Sequence, residues 1–216
     1  MNNLKVMLSG VSGVGKTTLA KDIAKIFDLS FISGSYSDLV PETKEMSHQS
    51  MIEQDAKTVF TQDMQVVSIR NKTFRDKLEF ITDRSYLDSA AYFINKLSHR
   101  IPQCDLEHAL DVCWTLLGKQ CTHLIYIPYS VNFLDNWVIE DNKKRIQSKY
   151  YQFQVSKVID GILDMWGYKR DGWLNQKFMG IPNTGVLNIQ GNEVKVLILD
   201  EVNYDARLDL VTRFLK

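Results

Sequence analysis

The chain has 216 residues, enough for one substantial hydrophobic core and crowded for two full domains. Hydrophobic residues make up 44% and charged residues 24%, the balance of an ordinary globular protein rather than a disordered one. Lys+Arg and Asp+Glu both number 26, and a formal net charge of zero argues against non-specific binding of nucleic acid.

In chain order, "LKVMLSG" (4–10) predicts a buried strand that ends at a glycine. Its apolar run is broken at once by glycines and a lysine, so no signal peptide is expected. "KTTLAKDIAKIF" follows as a helix with Leu19, Ile23 and Ile26 or Phe27 on one face. "LSFISGS" (29–35) predicts a second short strand. Residues 49–69 place Ile52, Ala56, Val59, Phe60, Met64 and Val67 at helical spacing. "KLEFITDRS" (77–85) predicts a third strand, after which Ser85 and Asp88 form a capping box for a helix carrying Leu87, Ala91, Ile94 and Leu97.

Leu106, Ala109 or Leu110, Cys113 and Leu117 predict the next helix, and "THLIYIPY" (122–129) a fourth strand stopped by Pro128. The polar stretch 130–150 leads into a helix with Val155, Val158 or Ile159, Ile162 and Trp166 on one face. Residues 167–185 have no clean period and read as a loop or insertion. "VLNIQGNEVKVLILD" then predicts two strands joined at Gly191-Asn192. A last helix takes Leu208, Val211 and Leu215. Strands alternating with helices imply an α/β fold, a mostly parallel sheet covered on both faces. No run of about 18 apolar residues occurs, so no membrane span is expected. Cys104, Cys113 and Cys121 match no metal spacing and read as reduced thiols of a cytoplasmic protein.

Gly10, Gly15, Lys16 and Thr17 satisfy G-x-x-x-x-G-K-[ST] between a predicted strand and a predicted helix. Successive backbone N–H groups over Ser12, Gly13, Val14 and Gly15 must turn inward to hold phosphate oxygens, which requires small or absent side chains. The helix start at Lys16 adds the positive end of its dipole. Lys16 can reach the β- and γ-phosphates, Thr17 can ligate Mg²⁺, and Thr18 can touch the α-phosphate. The pattern predicts ATP and Mg²⁺ as cofactors. Phosphoryl transfer then needs an acid at a strand end, and "FITDRS" supplies Asp83 for Mg²⁺ or its waters. Arg84 beside it would lean toward the acceptor or the transferring group.

"GVSGVGKTT" followed by "TDRSYLDSAAY" resembles P-loop kinases of nucleosides and nucleoside monophosphates: thymidylate kinases, deoxynucleoside kinases and nicotinamide riboside kinases. The resemblance covers most of residues 1–165 and the final helix. It implies a P-loop NTPase three-layer sandwich, one kinase domain over 1–216, with a mobile lid at 130–150 and an insertion or hairpin at 167–193. In the lid, "EDNKKRIQSK" would supply Asp141 and a catalytic Arg145, whose planar guanidinium can bridge two phosphate oxygens. The implied acceptor side draws on 33–47, the face of 51–69, and Tyr86 to Tyr92. There Asp38 is either a general base or a turn cap, and Tyr36 either stacks on a base or packs. Gln62 either reads a base edge or lies on the surface, and Arg70 either holds an acceptor phosphate or lies on the surface.

The expected activity is transfer of the γ-phosphoryl group of ATP to a small-molecule nucleoside or (deoxy)nucleoside monophosphate. Two alternatives stand beside it: a kinase of a polynucleotide end or modified DNA base, and a nucleotide-binding switch with slow hydrolysis. The aromatic-basic run "MWGYKRDGWLNQKF" bears on the first, as a base-stacking surface, a clasp over the site, a contact in a homodimer, or a packed surface loop. "VLILDE" could pass for the acidic strand of P-loop ATPases, although a final strand ending in Asp200-Glu201 needs no function.

Overall fold

Apolar residues fill both faces of the central strands. β1 (Lys5–Gly10) is buried at every position but its first, and β4 (His123–Ile127) is buried throughout. Strands of that kind belong inside a parallel sheet with helices on both sides. The computed structural model describes residues 3–39, 54–129, 149–170, 181 and 183–216. Besides β1 and β4 these include β2 (Phe31–Ile32), β3 (Phe80–Thr82), β5 (Lys169–Arg170), β6 (Thr184–Ile189) and β7 (Asn192–Ile198). The helices are α1 (Lys16–Phe27), α2 (Tyr36–Leu39), α3 (Ala56–Arg75), α4 (Tyr86–Leu97), α5 (Gln103–Gln120), α6 (Lys149–Met165) and α7 (Tyr204–Leu215).

The strands form one sheet in the order β2-β3-β1-β4-β7-β6-β5. β2, β3, β1, β4 and β7 run parallel, whereas β6 and β5 are antiparallel additions at one edge. Helices α3, α4, α5 and α6 pack on one another, and α1 packs on α7. The two groups lie on opposite faces, as right-handed crossovers require when the chain first steps outward from β1 and then back.

Most predicted elements appear with shifted ends. α3 starts at residue 56 because Asp55 caps it, accepting from the Thr58 N–H at 2.9 Å. It runs on to Arg75 because Phe74, two turns beyond Val67, continues the buried face. Ile52 lies outside the described residues. At the end of α1 it is Phe27 that packs on the core, while Ile26 is half exposed. β3 is confined to three residues, and Leu78 is exposed. The hairpin turn sits one residue earlier than the sequence predicts. Gln190 and Gly191, with φ of 51° and 85°, are its central residues, and Asn192 already belongs to β7. Two left-handed residues in succession give the primed turn whose twist matches the strands. Part of the expected loop at 167–185 joins the sheet instead, since Lys169 and Arg170 pair with Val186 and Gly185.

Cys113 and Cys121 are buried, Cys104 is exposed, and none of the three is paired. Among the described residues no helix is long and apolar enough to cross a membrane.

His123 in β4 lies edge-on to the Phe214 ring at 5.4 Å and opposite Lys195 of β7. Burial, with a smaller contribution from the Lys195 charge, lowers its pKa from 6.5 to about 4. The unfolded chain takes up a proton that the native chain refuses. Stability is therefore unaffected above pH 6.5 and falls by roughly 3 kcal/mol as pH drops toward 4. Urea unfolding at pH 7 and pH 5 should show this loss in the wild type, with a smaller loss in His123→Leu. Equal pH dependence in the two proteins would remove His123 as its source.

Candidate functional site

β1 delivers the chain to Gly10, and the turn to α1 passes through left-handed glycines, Gly13 at φ 91° and Gly15 at 86°. Gly15 is the N-cap of α1, no side chain caps that end, and its first turn carries no acid. The positive end of the helix therefore faces the loop with no acid of α1's own first turn competing for it. Lys16 is buried, and its Nζ donates to Gly10 O at 2.8 Å and Val11 O at 2.6 Å, across the mouth of the loop. Gly15, Thr17 and Thr18 are exposed, and Ser12 and Gly13 are half-buried. A curved loop of N–H groups, a lysine folded over it and an uncapped helix can together hold a polyphosphate.

Other elements hold the loop in shape. Gly10 N donates to Asp88 Oδ1 at 3.0 Å, and Ser12 N donates to Gln152 Oε1 of α6 at 3.2 Å. The predicted capping box is present, with Asp88 Oδ2 accepting from Ser85 N at 2.7 Å. One carboxylate thus caps α4 and fixes the end of β1. From the other side Arg207 of α7 donates its Nη1 to Val14 O at 3.2 Å and its Nε to Glu201 O. Burial lowers the Arg207 pKa to about 10, Glu201 and Tyr204 working the other way, so the guanidinium stays charged at neutral pH directly behind the loop.

Asp83, the first residue after β3, is buried and joins two neighbours. Its Oδ2 accepts from the Thr17 hydroxyl at 2.5 Å and its Oδ1 from Gly34 N at 2.8 Å. Gly34 must be glycine, since a Cβ there would stand 2.5 Å from Arg84 Cβ. Among the described residues no group of three or more His, Cys, Asp and Glu gathers for a metal. Thr17 and Asp83 are then two hard oxygen donors that suit a cation completing its shell with phosphate and water, as Mg²⁺ does. Arg84 lies alongside, its Nη1 3.5 Å from Gly10 O and 3.7 Å from Asp88 Oδ1.

The remaining sequence candidates are spread around the ends of β2 and β3. Arg70 is not on the surface: it is buried and donates to Gly34 O at 2.7 Å, Ser89 Oγ at 2.7 Å and Ser85 O at 3.2 Å. Tyr36 donates its hydroxyl to Gln62 Oε1 at 3.4 Å, and both residues are half-buried. Asp38 is exposed and accepts from the Ser33 hydroxyl at 2.8 Å. Asp141 and Arg145, with the expected lid, lie outside the described residues. Asp200 accepts from Asn183 and Glu201 from Val202 N and Asn203 N, local bonds that shape the approach to α7. Sequence reasoning missed Gln152 and Arg207. Neither lies in a motif, and each reaches the loop from a distant part of the chain.

The ATPase family associated with various cellular activities (AAA) matches as a family model over residues 6–81, a span running from β1 to β3. No curated protein matches the sequence. Among solved structures, deoxyadenosine kinase from M. mycoides with dCMP and dCDP bound is similar at a TM-score of 0.65 and 15% identity. The match covers 97% of this chain and 96% of that one. NadR protein in complex with NAD and AMP-PNP is similar at a TM-score of 0.60 and 14% identity, covering 99% of this chain and 50% of NadR. The present chain therefore spans half the length of NadR. At these identities the likeness establishes the fold, which is the P-loop NTPase α/β fold.

Replacing Arg207 by Met should remove the bond to Val14 O and the charge behind the loop. Affinity for a fluorescent ATP analogue should fall by about tenfold, the loss expected for one charged hydrogen bond. Unchanged affinity in a folded variant would show that the loop keeps its shape without α7.

Proposed function

We propose that this chain is a Mg²⁺-dependent phosphotransferase that moves the γ-phosphoryl group of ATP to a nucleoside or (deoxy)nucleoside monophosphate. The observation that carries the reading is the Asp83 carboxylate, fixed between the Thr17 hydroxyl and Gly34 N–H at the mouth of an uncapped phosphate loop. An NTP-binding switch needs the loop and the metal donors. A basic residue directly after the acid, turned toward the same mouth, suits the charge on a transferring phosphoryl group, and Arg84 fits that part.

In this reading Ser12, Gly13, Val14, Gly15 and Thr18 bind the phosphates, and Lys16 exchanges its loop carbonyls for β- and γ-phosphate oxygens. Thr17 and Asp83 hold the Mg²⁺, whose contribution is to neutralise charge on the phosphates. The acceptor oxygen, a hydroxyl of a nucleoside or a phosphate oxygen of a monophosphate, forms a bond to the γ-phosphorus while the bond to the β–γ bridging oxygen breaks and ADP leaves. Where the acceptor is a hydroxyl, Asp38 takes its proton, and Arg84 with Arg145 of a lid at 130–150 balances charge on the transferring group. Tyr36 and Gln62 line the acceptor, and Arg70 holds the wall they stand on through Gly34 and Ser89. Domain 1–216 acts as one catalytic unit on a small-molecule acceptor. The NadR and deoxyadenosine kinase likenesses support this choice, since the fold is shared over nearly the whole chain.

Incubation with γ-labelled ATP, Mg²⁺ and a panel of nucleosides, nucleoside monophosphates and oligonucleotides tests the reading. Label should move to a small-molecule acceptor; label appearing only as free phosphate would defeat the proposal, and label on oligonucleotides alone would favour a polynucleotide kinase. Lys16→Ala and Asp83→Asn should each abolish transfer while melting temperature stays near that of the wild type. Arg145→Ala should lower kcat more than ATP affinity, and the reverse pattern would take Arg145 out of the chemistry.

A further inference from the structure

Helices α3 and α4 share a partly buried ion pair that the catalytic assignment leaves unused. Lys96 Nζ donates to both oxygens of Asp63, at 3.3 Å to Oδ1 and 3.1 Å to Oδ2. Two tyrosine rings flank the ammonium, with centroids 5.6 Å away at Tyr36 and 5.2 Å away at Tyr92. Both rings connect to the site described above: Tyr36 stands just beyond β2 and bonds Gln62, and Tyr92 lies close enough to Arg84 to favour its charge. The Asp63 side chain is 9% exposed and that of Lys96 32%, so the pair is sheltered but can be reached from one side.

Such a pair is not explained by stability. Desolvation of both charges offsets most of their attraction, and apolar side chains of the same volume would serve the core as well. We propose that Asp63 and Lys96 together read the ring of the phosphoryl acceptor, and that this ring is an uncharged heterocycle presenting a hydrogen-bond donor beside an acceptor. The inference rests on the kinase reading.

The pair's own chemistry sets the ring's class. An ammonium has three N–H donors, and the two oxygens of Asp63 engage two of them. Each carboxylate oxygen keeps a further lone pair. What the pair offers is a donor next to an acceptor, the complement of the amide or amidine edge of a neutral base. Burial works against the Lys96 charge, but Asp63 more than reverses it, and the ammonium is held above its ordinary pKa. A cationic ring, such as a pyridinium, would meet that fixed charge and find the tyrosine faces already turned to it. An anionic group would meet Asp63.

Steady-state transfer by the wild type to purine nucleosides, pyrimidine nucleosides and a pyridinium riboside, each offered also as its 5′-monophosphate, provides the first test. At least one uncharged-ring acceptor should exceed its pyridinium counterpart in kcat/KM by about a hundredfold or more, since sites whose buried polar groups must find partners discriminate by up to roughly 10⁴-fold. A pyridinium riboside preferred over every neutral nucleoside would overturn the inference and leave the kinase reading intact. Transfer to no acceptor by protein that binds ATP would overturn both. Lys96→Met and Asp63→Asn provide the second test. Each should raise acceptor KM by about tenfold or more while kcat and ATP-analogue affinity stay within about twofold, and Asp63→Asn should change the order of preference among rings. Folded variants with unchanged KM and unchanged ring preference would show that the pair serves only packing.

Discussion

One carboxylate sets the geometry on which everything else at the site depends. Asp83 can touch Thr17 and Gly34 at once because β3 lies between β1 and β2 in the sheet. Were the strands ordered as they follow in sequence, the acid would be a strand away from the phosphate loop. The parallel register brings the exits of all three strands to one edge, where open-sheet α/β folds bind their ligands. The three-residue β3 is short but wholly buried, and its rigidity passes to the first residue beyond it.

Around that carboxylate lies a web of buried polar groups, many of whose bonds end on backbone. Asp88 ends at Gly10 N, Arg70 at the Gly34 and Ser85 carbonyls, and Lys16 at the Gly10 and Val11 carbonyls. Bonds from charged side chains to backbone in a sheltered site are stronger than neutral ones and leave the chain few alternatives. This suits a site whose task is to present fixed dipoles to a polyphosphate, since dipoles that need not reorganise give the larger electrostatic effect.

The sequence made legible what local chemistry dictates. Gly10, Gly15, Lys16 and Thr17 could be read because strand, turn and helix start all constrain neighbouring residues. Ser85 and Asp88 could be read because a capping box closes within one turn. Chain-end effects blurred the boundaries: Phe74 extended α3 past a polar stretch, and Gln190 took a left-handed conformation that its side chain does not advertise. The surface alternative for Arg70 fails because three acceptors surround its guanidinium, which no neighbouring residue in the sequence announces. Gln152, Arg207 and the Asp63–Lys96 pair were invisible, since their partners are chosen by tertiary packing alone.

The bond from Arg207 to Val14 joins positions 193 residues apart. β7, which leads into α7, must likewise find its place beside β4 before that helix can reach the loop. During synthesis the glycine loop leaves the ribosome well before its outer support, which lies 193 residues further along the chain. A nascent chain therefore carries the phosphate motif long before it carries the finished cradle. Contacts of such long sequence separation also make for slow folding. Nucleotide binding at full strength is consequently acquired only once α7 has docked behind the loop.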